Sequence, residues 1–176
     1  MSNPAIDLDC KDIYYKLLHD KLPVQERLFI KNKSDTPYCK KESIRKMIFG
    51  PLPREVTLRP RIIVGGEVGT VLHTFTECKK VSNIWGWVRR TILKFLPHDW
   101  NALSNFEILY LTWPPYTNDT TIIWLLSQYI SYVWTHDRDS AVNYKLEPFI
   151  GHLAFKFKKH SVTKRPKLHP IFFDPG

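Results

Sequence analysis

Apolar residues recur at intervals of three and four along much of this chain, and that spacing predicts helices. Ile13, Tyr14, Leu17 and Leu18 share one face of a first helix over 9–22, with Asp7 or Asp9 to cap its start and Pro23 to end it. Pro23 also suits the first turn of a short second helix through Glu26, Leu28 and Phe29. Val81, Ile84, Trp85, Val88, Ile92 and Leu96 mark an amphipathic helix that stops before Pro97. Asn105 to Leu111 reads as a short helix closed by Trp113-Pro114-Pro115, and Asn118 or Asp119 as the cap of a helix reaching His136. Ile122 to Trp134 is the most apolar run, broken by Ser127, Gln128 and Ser131. A membrane span needs about twenty apolar residues, so this shorter run predicts a core helix. Ser140 caps a last helical stretch towards Lys158, which Pro148 is expected to kink or split.

The pattern lapses over 43–69. Pro51, Pro53, Pro60, Gly50, Gly65, Gly66 and Gly69 punctuate a basic stretch, as expected of an inserted loop. Thr57 to Val64 can pair as a short strand, with a turn at Gly65-Gly66. Asn32 to Pro37 reads as a turn into Tyr38-Cys39. The expected fold is mainly α, a small helical domain with a possible short β-hairpin in the insertion. From Ser161 onward the basic, proline-bearing tail is expected to be extended.

Charge changes the picture. The chain has 176 residues, with 26 Lys and Arg against 17 Asp and Glu, a net charge of +9. Residues 145–176 alone carry seven Lys/Arg against two Asp/Glu. Such a surplus favours anionic partners, nucleic acid before membrane. Three cysteines are too few for a secreted disulfide framework, and the first five residues lack the pattern of a secretion signal. Gly65-Gly66-Glu67-Val68-Gly69 lacks phosphate-loop spacing. His136, Asp137 and Asp139 read as a solvated loop. Trp85, Trp87, Trp124 and Trp134 read as core packing, and Cys10 as a plain residue of the first helix.

One constellation carries chemistry. Cys39, His73 and Cys78 are soft or borderline donors, the kind a tetrahedral zinc site uses. A turn would hold Cys39, and a helix start would hold His73, with Cys78 about one and a half turns on. Thr70 is placed to cap that helix by accepting from the amide three residues later.

Leu22-Pro23-x-x-x-x-Leu28, Thr70-x-x-His73-x-Phe75-x-x-Cys78 and Val81-Ser82-Asn83-Ile84-Trp85 together give the chain a recognisable look over roughly residues 10–135. It resembles the zinc-binding domain downstream of the polymerase in non-LTR (LINE-type) retrotransposon reverse transcriptases. The resemblance implies a zinc ion held by Cys39, Glu42, His73 and Cys78. Glu42 stands where the family's knuckle has its second Cys, and residues 43–69 replace a short link, which marks the copy as degenerate or fragmentary. The implied organisation is an N-terminal helical segment (1–35), a zinc-knuckle-like region (36–97), C-terminal helices (98–160) and a basic tail (161–176).

The implied function is accessory binding of RNA or DNA inside the cell, in nucleus or cytoplasm, alongside the polymerase part of a parent retroelement. Lys40, Lys41, Arg45, Lys46, Arg89, Arg90, Lys158 and Lys159 would contact phosphates. No adjacent aspartate pair is present, so polymerase chemistry is not expected and the chain reads as a non-enzyme. The alternative left open is a relic, or a helical protein-interaction module without metal.

Overall fold

A helix that is apolar on every side has to be enclosed, and the longest apolar run of the chain is. The computed structural model describes residues 6–34, 38–39, 67–96, 103–112, 119–136 and 144–162, with residues 160–162 described as backbone alone. Within them the protein is mainly helical, and pairing between extended segments is limited to one isolated antiparallel bridge, Tyr38 with Val68. Six α-helices are described: α1 (Leu8–Leu18), α2 (Gln25–Ile30), α3 (Ser82–Leu93), α4 (Asn105–Tyr110), α5 (Thr120–His136) and α6 (Leu146–Val162). A short π-helical turn, His73–Glu77, precedes α3.

Helix α5 is the core helix, buried without a break from Thr121 to Ile130. Asp119 caps it, its Oδ1 accepting from the Thr121 amide at 2.7 Å. Two of the polar residues that interrupt its apolar run hydrogen-bond inside the core. Ser127 Oγ donates to the Trp124 carbonyl at 2.8 Å. Gln128 Nε2 donates to Asp7 Oδ2 at 2.9 Å, which ties the start of α1 to the middle of α5. Helix α1 packs along α5 through Cys10, Tyr14 and Leu17. Among the described residues no helix is long and apolar enough to cross a membrane.

Two helix ends differ from the sequence expectation. Helix α1 stops at Leu18, not at Pro23, because Asp20 turns left-handed at φ 54°. The Lys21 amide then closes back on the Lys16 carbonyl at 2.6 Å, a C-cap of the Schellman kind. Pro23 therefore precedes α2 and does not sit in its first turn. Pro148 neither kinks nor splits α6. It lies in the first turn, where an amide has no intrahelical partner to lose. Helix α6 also reaches Val162, so the tail is not extended from Ser161.

The amphipathic α3 buries Ile84, Trp85, Val88, Thr91 and Ile92, close to the predicted stripe. Helix α4 opens with a capping box: Ser104 Oγ accepts from the Glu107 amide, and the Glu107 carboxylate accepts from the Ser104 amide. Trp124 and Trp85 are buried and Trp87 and Trp134 half-buried against the core, so the tryptophans pack as read. Cys10 is likewise buried on α1. The predicted strand at 57–64, the Gly65-Gly66 turn, Ser140 and the tail beyond 162 lie outside the described residues.

Candidate metal centre

Three segments distant in sequence meet beside the N-terminal end of α3. Cys39 is brought in by the Tyr38–Val68 bridge and by its own amide, which donates to the Glu67 carbonyl at 2.9 Å. That close backbone approach requires a glycine next along the chain. A Cβ built on Gly69 would stand 2.7 Å from Gln25 Cβ and 3.3 Å from the Cys39 Cα and amide nitrogen. The Gly69 carbonyl also accepts from the Glu26 amide at 3.3 Å, which joins the start of α2 to the same junction.

His73 and Cys78 come from the turn that follows. Thr70 caps it as expected, its Oγ1 accepting from the His73 amide at 3.0 Å. The turn is π-helical, and its ring closes between the Cys78 amide and the His73 carbonyl at 2.8 Å. Residues five apart on an α-helix stand about 140° apart around the axis. The wider i→i+5 turn draws His73 and Cys78 towards one side. The buried hydroxyls of Thr74 and Thr76 donate to the Thr70 and Leu72 carbonyls at 2.6 and 2.8 Å. Tyr129, fully buried on α5, donates its hydroxyl to the Phe75 carbonyl in the middle of the turn. Burial holds the Tyr129 phenol well above its ordinary pKa, so it stays a donor.

The result is a compact donor set. Cys39, His73 and Cys78 are all buried, and their ligand atoms lie within 4.8 Å of one another. The two sulfurs are 3.9 Å apart. A disulfide would hold them at about 2.05 Å, whereas two thiolates about 2.3 Å from one tetrahedral ion stand about 3.8 Å apart. Two thiols and an imidazole at this separation can hold a metal ion. Glu42, the fourth residue expected here, lies outside the described residues.

The phosphate-contacting set divides. Lys40, Lys41, Arg45 and Lys46 lie outside the described residues. Arg89 is half-buried, and its guanidinium donates to the Leu103 carbonyl at 2.8 Å and reaches Asn105 Oδ1 at 3.4 Å, which fixes it against the start of α4. Lys158 and Lys159 are exposed at the far end of α6.

Arg90 is exposed. With Lys79, Lys80 and Lys145 it lines an open groove of about 950 Å³ between α3 and the start of α6, where Glu147 supplies one opposing charge. Lys79 and Lys80 follow Cys78 directly, so the groove opens beside the donor set. Lys145 could not be assigned to this cluster from spacing, because it arrives through the fold. Its neighbour Tyr144 is buried and donates to the Val133 carbonyl at 3.3 Å. Gly69 and Tyr129 were equally silent in the sequence, since their roles appear only once Cys39 meets Gly69 and α5 meets the π-helical turn. Compared with protein-family models, curated proteins and solved structures, the chain matches none.

Proposed function

We propose that this chain is a zinc-braced helical domain that binds single-stranded RNA or DNA through its phosphates. The carrying observation is the buried Cys39–His73–Cys78 set, whose sulfur spacing suits a tetrahedral ion. Thiolates with imidazole favour zinc over the harder cations. Cys39, His73 and Cys78 would hold the ion, with Glu42 as the fourth ligand three residues beyond Cys39. The ion's work is structural: it pins the residues after α2 to the turn before α3, and no catalytic step is assigned to it. The same residues carry the resemblance to the retrotransposon reverse-transcriptase zinc-binding domain, and an accessory role beside a polymerase follows from that resemblance.

The groove of Lys79, Lys80, Arg90 and Lys145 supports the nucleic-acid side of the reading. Lysine and arginine side chains that neutralise phosphates release the counterions condensed on the strand, so binding weakens as salt rises. The test is the affinity for a fluorescent oligouridylate across a salt series, in wild type and in the Lys79→Gln/Lys80→Gln double variant. The expected slope of log affinity against log salt is shallower in the variant by about 1.4, at about 0.7 per phosphate contact on a single strand. Equal slopes in both proteins would remove the groove from the reading. No binding at low salt would leave a metal-braced interaction module.

A further inference from the structure

The groove that carries Lys79, Lys80, Arg90 and Lys145 also carries a group that repels phosphate. Glu147 lines it too, and its side chain is exposed. The Glu147 carboxylate forms no ion pair among the described residues, so it does not serve to neutralise the cations around it. A groove that took up phosphates alone would hold them better without a like charge beside them.

The fold fixes where that carboxylate stands. Tyr144, three residues before it, is buried, and its hydroxyl donates to the Val133 carbonyl at 3.3 Å. Phe149, two residues after it, is fully buried. The Phe149 ring meets Trp87 of α3 edge-on at 6.1 Å and Tyr132 of α5 at 5.1 Å. The α3 wall is held as firmly. The Val81 amide donates to the Cys78 carbonyl at 2.9 Å, and Ser82 Oγ donates to the Lys79 carbonyl at 2.8 Å. Lys79 and Lys80 therefore ride on a closed turn that runs directly into α3. One acceptor is thus held in place among several cations. Phosphate contacts position a strand, and groups that meet base edges specify it.

We infer that Glu147 reads the base, so that the groove prefers strands whose bases carry an exocyclic amine, cytosine over uracil. This rests on the nucleic-acid reading of the same groove. An ionised carboxylate can only accept hydrogen bonds. Where cytosine presents an amino donor, uracil presents a carbonyl oxygen, a second acceptor. Glu147 accepts from the first and is repelled by the second. The cations meet phosphates that are the same in both strands, so they favour neither.

The experiment uses the full chain with fluorescent oligoribonucleotides of equal length across a salt series. The probes are oligocytidylate, oligouridylate and a cytidylate dimethylated on its exocyclic nitrogen. Oligocytidylate is expected to bind roughly tenfold more tightly than oligouridylate, the worth of one base-edge contact. The two should share one salt slope, because their phosphate contacts are shared. Dimethylation removes both donor protons and should bring the cytidylate down to oligouridylate or below. Glu147→Gln should erase the preference, since an amide offers a donor as well as an acceptor. It should also tighten oligouridylate, because a like charge has gone. Equal affinities for the two strands in the wild type overturn the inference and leave the phosphate reading standing. A preference that survives dimethylation or Glu147→Gln also overturns it, as when Glu147 serves only the N-terminal end of α6. Absent binding of both strands at low salt overturns the nucleic-acid reading itself, and the inference with it.

Discussion

Tyr129 reaches from α5 into the π-helical turn and takes up the Phe75 carbonyl between His73 and Cys78. Removing the hydroxyl leaves a buried acceptor unsatisfied, at a cost of about 1–3 kcal/mol. Tyr129→Phe is therefore expected to lower the melting temperature of the metal-loaded protein. It should also weaken metal binding in a competition titration with a chelating dye, because the turn that sets His73 against Cys78 loses its brace. A change in stability with unaltered metal affinity would show that Tyr129 supports the core alone.

His152 offers a second test at this scale. Burial first, then the charge of Lys156 and the neighbouring His136, hold its pKa below the ordinary 6.5, against a smaller opposite pull from Asp7. The unfolded chain then takes the proton first as pH falls. Stability from this residue is complete above about 6.5 and declines below it. In thermal melts from pH 7.5 to 5, wild type should lose stability faster than His152→Gln, so the gap between them narrows or reverses. A constant gap would show that His152 does not titrate differently on folding. The three candidate metal ligands were legible as residue types whose spacing resembles the reverse-transcriptase zinc-binding domain. Tyr129 and His152 were not, since nothing local distinguishes them from other buried aromatic residues.

At the level of elements, the helical stripes of α3 and the Asp119 cap of α5 could be read from spacing and cap chemistry, because both are local. Helix ends are less legible where proline is the expected stop. Proline forbids an interior position but permits a first turn, which is where Pro148 stands. In α1 the left-handed Asp20 ends the helix before Pro23 can. The Ser104-x-x-Glu107 start of α4 is a local signature and was present in the sequence all along.

The junction at Gly69 is not local, because it depends on the bridge between residues 38 and 68. It carries its own prediction. Gly69→Ala places a Cβ 2.7 Å from Gln25 Cβ and 3.3 Å from the Cys39 backbone. The variant should melt lower and bind metal more weakly, as read by thermal melts and the same dye competition. Gly86→Ala is its control, since a Cβ there meets only the far end of Arg90 at 3.7 Å. Equal behaviour of the two variants would remove Gly69 from the account.

For the whole molecule, the mainly helical class follows from patterning alone, and α5 shows why: an apolar run too short for a membrane becomes the helix the others cover. What patterning cannot convey is which distant segments meet. Joining two distant points of a chain carries an entropic cost that grows only slowly with the length between them, so the separation in sequence was no bar to Cys39 reaching Cys78. The basic surplus divides too, with Arg89 held against the start of α4 and Arg90 left on the groove.

The central claim is that zinc on Cys39, His73 and Cys78 holds these segments together, and the most direct measurement is zinc content with its effect on the melt. Protein refolded with zinc and dialysed should retain one ion per chain by elemental analysis. A strong chelator should lower its melting temperature, and Cys39→Ser should abolish both the retained ion and the chelator's effect. A protein that retains no zinc, and melts identically with chelator and as Cys39→Ser, would contradict the account.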